Sequence, residues 1–167
     1  MKKKASGAYR ARMNMRGFEQ KDGEHFDSSS ISSPVTNDVS IRVALVLMLM
    51  ANWVAQVVDV KGAFLHGEFE NNEQIYTEVP QGFEKWFDPI EYLLLMMKTG
   101  YGLKQAARMF WKELLKAMNS MSFRKSQMDP CLYFKWIDGL GLCLWLSWID
   151  DCLNLGKAEA GKNPKVK

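Results

Sequence analysis

From Asp38 to Asn52 the chain reads DVSIRVALVLMLMAN, with apolar residues around the whole circumference of a helix and Asn37 or Asp38 placed to cap it. Such a helix is expected to be buried on most sides. The β-branched run WVAQVVDV, Trp53 to Val60, predicts a central strand. From Lys104 to Met121, apolar Ala107, Phe110, Trp111, Leu114, Met118 and Met121 recur at helical spacing, while Lys104, Arg108, Lys112 and Lys116 fall every four residues. One face of that helix is core and another is basic. Shorter strands are expected at QIYTEV, closed by Pro80-Gln81-Gly82, at YLLLMMK from Tyr92, and at CLYFKW, LCLWLSW and CLNLG. A hairpin strand is expected within Ala8 to Phe18 and a polar loop over Lys21 to Ser33. Strands and helices that do not alternate regularly point to an α+β fold.

Within SWIDDCLNLG, Asp150 and Asp151 stand side by side between the last two strands, at a hairpin tip after an almost wholly apolar run. A buried, unpartnered carboxylate is costly, so such groups are usually neutralised, paired or given a metal. Adjacent strand residues point to opposite faces, so a second inward carboxylate has to come from another strand. Asp59, which also ends a β-branched apolar strand, is the candidate. Oxygen ligands without His or thiolate select Mg²⁺ or Mn²⁺ over zinc, and two such ions about 3.5–4 Å apart support in-line phosphoryl transfer. Taken alone, the Asp-Asp pair is also explained by turn chemistry, because hairpin tips favour Asp.

Composition narrows the setting. The chain has 167 residues, 47% hydrophobic and 25% charged, which suits one folded domain and excludes a disordered chain. Three cysteines without CxxC spacing suggest neither a disulfide framework nor a zinc site. The apolar runs fall short of the ~20 residues needed to span a bilayer, and MKKKASG is not followed by the apolar stretch of a secretory signal. Charge is segregated: Met1 to Gln20 and Lys98 to Lys125 are basic, whereas Val57 to Glu91 is acidic. This distribution suits either ordinary surface variation or a protein that grips a polyanion around a cation-holding centre.

The order of motifs is more specific. YRARMNMRGFEQ, SSPVTNDVSIRVAL, VVDVKGAFLHGEFENNEQIYTEVPQGF, YGLKQAARMFW, SQMDPCLYF and WIDD follow one another over nearly the whole chain. In that order they resemble the reverse transcriptase domain of copia-type LTR retrotransposons, where Y-V-D-D is usual in place of WIDD.

The resemblance implies a polymerase palm-type antiparallel sheet packed on helices, with a partial fingers subdomain and no thumb: residues 1–36 partial fingers, 37–156 palm with the remaining fingers elements, 157–167 a disordered basic tail. The activity implied is RNA-directed DNA polymerisation, two-metal transfer of deoxynucleotides onto a primer 3′-hydroxyl, the alternative being an inactive nucleic-acid-binding remnant. Asp59, Asp150 and Asp151 are then the catalytic, metal-binding carboxylates, with Asp150 the more direct ligand and the Val60 main chain contributing. Two Mg²⁺ ions are implied, with Mn²⁺ as a substitute. Arg12 (with Arg10 and Arg16 as rivals), the amides of Lys61, Gly62 and Ala63, and Phe64, Gly102 and Gln105 would bind the nucleotide. Phe64 would block a ribose 2′-hydroxyl.

Trp148, Lys104 and Arg108 would face primer and template, although a basic stripe is more often a solvated face. Competing readings also hold for Phe64 as core, for Gln105 as a polar residue at a helix start and for each Arg as a solvated surface cation. Trp148 replaces the family's usual Tyr, keeping an aromatic plane but losing a hydroxyl. Implied partners are an RNA or DNA template with primer, dNTPs and the remaining polyprotein regions, integrase and ribonuclease H, with no membrane. If the element is active, the implied location is intracellular, in a cytoplasmic virus-like particle; for an inactive element no location is implied.

Overall fold

The computed structural model describes residues 2, 3, 7, 9, 10, 12–70 and 73–158, without the side chains of Lys2, Lys3, Arg10 and Ser30. Most of the expected tail, 159–167, lies outside the described residues. The described elements are β1 (Lys2–Lys3), β2 (Tyr9–Arg10), α1 (Asp38–Met50), β3 (Val54–Asp59), β4 (Tyr76–Glu78), β5 (Leu93–Leu95), α2 (Ala106–Ser120), β6 (Arg124–Lys125), β7 (Leu132–Ile137), β8 (Gly141–Trp148) and β9 (Asp151–Gly156). The architecture is α+β with antiparallel pairing throughout these strands. No helix among the described residues is long and apolar enough to cross a membrane.

The chain forms two compact units, each built from two stretches: 1–32 with 64–109, and 33–63 with 110–167. Both units are discontinuous in sequence.

In the second unit a five-stranded sheet runs β3-β9-β8-β7-β6. Leu144, Leu146 and Leu155 on one face pack with Ala44 of α1, flanked by Ile41 and Met48. Cys143, Trp145 and Ser147 alternate with those leucines along β8 and are buried on the opposite face, where Trp145 meets the Phe123 ring edge-on just past α2, at 6.3 Å. Asn37 caps α1 as its sequence suggests, its side chain accepting from the Val39 N–H at 2.8 Å.

Two expectations fail here. α1 is not buried on most sides: only Ala44 is fully covered, while Val39, Val43, Val46, Leu49 and Met50 are exposed. One stripe of the helix, Ile41, Ala44 and Met48, contacts the sheet. Nor is β3 central; it is an edge strand, with Val57 75% exposed.

In the first unit β4 pairs with β5, and Ile75, Leu103 and Ala106 form a small core with Met15, Phe64, Phe69 and Met96 beside it. Of the strand expected within 8–18, Tyr9–Arg10 is strand among the described residues and Gly17–Glu19 is a short 3-10 turn, while Ala8 and Ala11 lie outside the described residues.

All three cysteines are buried and unpaired by disulfides. Burial raises each thiol, Cys152 to about 11 from its ordinary 9.0. Iodoacetamide is therefore expected to leave the native cysteines unlabelled at pH 8 and to label all three in denaturant, as mass spectrometry would show. Because the folded value lies above the unfolded one, the contribution of Cys152 to stability is complete below about pH 9 and is lost as pH rises through about 11.

Candidate active site

β3 and β9 run antiparallel, with Asp59 directly opposite Asp151 and Val57 opposite Leu153. Opposed residues of an antiparallel pair carry their side chains on one face, Cβ atoms about 4.5–5.5 Å apart. Asp59 and Asp151 are therefore same-face neighbours, and both are exposed. Asp150 occupies the two-residue turn with Ile149, and its carbonyl accepts from the Val60 N–H at 3.1 Å, extending the ladder one step beyond the acid pair. All three acids thus meet at one end of the sheet. The register places Asp151, rather than Asp150, opposite Asp59. Ile149 has φ +54°, in the left-handed region that β-branched residues rarely enter. A primed hairpin turn demands that conformation, and the flanking strands hold it.

Three carboxylates and no imidazole or thiolate form the donor set that hard divalent ions take. Among the described residues, no group of three acidic, His or Cys side chains is drawn together tightly enough to hold a metal. The backbone assembles the acids, and their side chains are not gathered around a common point.

Trp148 lies directly across the hairpin from Asp151 and is 49% exposed. After β3 the chain turns through Gly62 at φ +66°, a conformation that suits glycine. The Ala63 N–H donates to the Val60 carbonyl at 3.2 Å, so that amide and one lone pair of Val60 serve the turn itself; Lys61 is exposed.

The remaining expected residues lie in the other unit. Phe64 is half-buried, its ring edge-on to Tyr101 at 5.3 Å, and its carbonyl accepts from Thr99 Oγ1 at 2.6 Å. The Arg12 guanidinium lies over the Tyr101 ring at 4.9 Å. Exposed Arg16 pairs with Glu19 at 3.3 Å, and the side chain of Arg10 lies outside the described residues. Gln105 is buried at 2% exposure: its Oε1 accepts from Gln20 Nε2 at 3.0 Å and its Nε2 donates to the His25 carbonyl at 3.2 Å. Gln20 also accepts from the Lys104 N–H at 2.9 Å, tying the start of α2 to the N-terminal loop. The Lys104 ammonium sits over Phe26, and Arg108 donates to the Ser32 carbonyl at 2.8 Å. Gly102, at φ +93°, packs against the Met15 main chain.

Reasoning from sequence missed Gln20, Thr36 and Asp129. All three are polar residues in loops, and nothing in their local spacing announces a partner many positions away.

This arrangement, an antiparallel sheet with acids at the end of one edge strand and at the adjoining hairpin, is accompanied by a match over residues 1–162 to the family described as Reverse transcriptase (RNA-dependent DNA polymerase). The chain belongs to that family. It is 40% identical over 159 residues to the Retrovirus-related Pol polyprotein from transposon TNT 1-94 of Nicotiana tabacum, covering 95% of this chain and 12% of that protein. It is 32% identical over 148 residues to each of the Retrovirus-related Pol polyproteins from transposons RE2 and RE1 of Arabidopsis thaliana, covering 89% of this chain and 10% of each. The chain thus spans about a tenth of the length of these curated relatives. No solved structure matches.

Proposed function

We propose that this chain is the RNA-directed DNA polymerase portion of a transposon Pol polyprotein and that Asp59, Asp150 and Asp151 are its metal-binding carboxylates. The observation that carries this is the Asp59–Asp151 register, continued by the Val60–Asp150 hydrogen bond, in a chain of the reverse transcriptase family. Two Mg²⁺ ions held by these hard-oxygen carboxylates would activate the primer hydroxyl and stabilise the leaving pyrophosphate.

The chain's own residues would hold the substrates. Asp59 and Asp150 supply the principal oxygen ligands and Asp151 supports them. Trp148, exposed beside the acids, offers a plane for the terminal primer base, since base–aromatic stacking is worth about 1–3 kcal/mol. Arg12 and the Lys61 and Gly62 main chain are the proposed triphosphate contacts. Phe64 is the proposed sugar selector, and Lys104 and Arg108 are proposed template contacts. Sheet and helices correspond in this reading to a palm with partial fingers, and the partners are template with primer, dNTPs and the rest of the polyprotein.

The test is incorporation of dTTP on poly(rA)/oligo(dT) by the purified chain with Mg²⁺ or Mn²⁺. Extension supports the polymerase reading. Template binding without extension under either ion favours the inactive remnant.

A further inference from the structure

β8 is longer than the strand beside it. Its pairing with β7 ends at Leu146–Leu132, whereas Ser147 and Trp148 continue toward the acidic turn, joined to β9 on one side only. On the other side, the Ser147 N–H and C=O would be buried without ladder partners, which is costly. Both are satisfied by residues outside the sheet. The Ser147 N–H donates to the Cys131 carbonyl at 3.0 Å, and its carbonyl accepts from Thr36 Oγ1 at 2.6 Å, across 111 positions of sequence.

Thr36 is itself held in place. The next residue, Asn37, donates its N–H to Asp129 Oδ2 at 2.9 Å, and Asp129 Oδ1 accepts from the Cys131 N–H at 2.9 Å. Hydrogen bonds and short lengths of main chain therefore close a ring through Thr36, Asn37, Asp129, Cys131 and Ser147. Asp129 is 1% exposed and Thr36 is 4% exposed, so water competes little for these bonds. The ring stands where β7 would have to continue and ends one residue before Trp148.

We infer that Thr36 and Asp129 are positioning residues for the acidic turn: their buried ring replaces the missing ladder and fixes the overhanging end of β8, and with it Trp148 and Asp150. The link to metal binding rests on the polymerase reading above; the link to the turn does not.

Thr36→Val keeps the shape and removes the donor to Ser147, whereas Thr36→Ser restores a hydroxyl. Hydrogen exchange by mass spectrometry on the full chain is expected to show about tenfold faster exchange in Thr36→Val over residues 147–152, with α2 unchanged and the parent rate restored in Thr36→Ser. Unchanged exchange at the turn, or equal acceleration across both segments, overturns the inference. Asp129→Asn, which sets an amide against main-chain donors, is expected to accelerate the same segment if it folds. In a parallel Mn²⁺ titration followed by electron paramagnetic resonance, Thr36→Val is expected to bind about tenfold more weakly than the parent and Thr36→Ser equally well. Parent-like affinity in Thr36→Val overturns the positioning role. If the parent binds no Mn²⁺ the polymerase reading fails, while the exchange data still decide the ring.

Discussion

Asp150→Asn is expected to lower primer extension on the order of 10³-fold or more, the scale of losing a metal ligand that acts on the reacting oxygens. The substitution keeps the size of the side chain and removes only its charge. The main-chain bond from the Val60 N–H to the Asp150 carbonyl does not depend on the side chain and remains. Asp150 is half-buried rather than enclosed, so the stability change should not exceed about 0.5 kcal/mol. Asp59→Asn should behave in the same way. Asp151→Asn should lose less, because Asp151 is assigned support rather than principal ligation. A variant set in which Asp150→Asn extends primers as well as the parent would remove this acid from the chemistry. Steady-state incorporation read beside thermal unfolding separates that result from loss of fold.

The largest structural effect is expected at Gly17 and Gly102, where two main chains cross. The Met15 N–H donates to the Tyr101 carbonyl at 2.7 Å, which draws the segments together. A Cβ at Gly17 would collide with the Gly102 carbonyl oxygen, and one at Gly102 would collide with the Met15 carbonyl oxygen. Both obstacles are backbone, so relief requires moving a segment rather than turning a side chain. Gly102 also has φ +93°, which adds backbone strain for any other residue. Gly17→Ala and Gly102→Ala are each expected to cost about 3 kcal/mol in urea unfolding. Gly82→Ala is the control: its φ of +94° carries the conformational cost alone, with open space around the added methyl, so about 1 kcal/mol is expected.

Much of the fold was legible because the strongest signals are local. The helical repeat predicted over Lys104–Met121 appears as α2, Asn37 caps α1, and the apolar strands around SWIDD form the expected hairpin. What failed depends on long-range order. Periodicity reports that WVAQVVDV is a strand, but not which strands flank it, and β3 lies at the edge. An all-apolar helix reads as buried whether or not a neighbour covers every side, and α1 is covered along one stripe.

At the candidate site, type and order of residues pointed to Asp59 and the acidic pair, and the register places them at one end of one sheet. That Asp151 rather than Asp150 is opposite Asp59 follows from a two-residue turn whose first member, Ile149, adopts a conformation its side chain disfavours. No propensity rule would choose Ile there. Gln105 was legible as a polar residue at a helix start, but its buried bonds to Gln20 and His25 join positions about eighty residues apart, a distance no local pattern records.

The central claim is that Asp59 and Asp150 share a pair of divalent ions. Electron paramagnetic resonance of Mn²⁺ bound to the chain with dTTP and primer-template tests it most directly, because ions about 3.5–4 Å apart couple magnetically. The expected result is a coupled two-ion spectrum from the parent that is lost in both Asp59→Asn and Asp150→Asn. An uncoupled spectrum from the parent, or one unchanged by both substitutions, would contradict the claim.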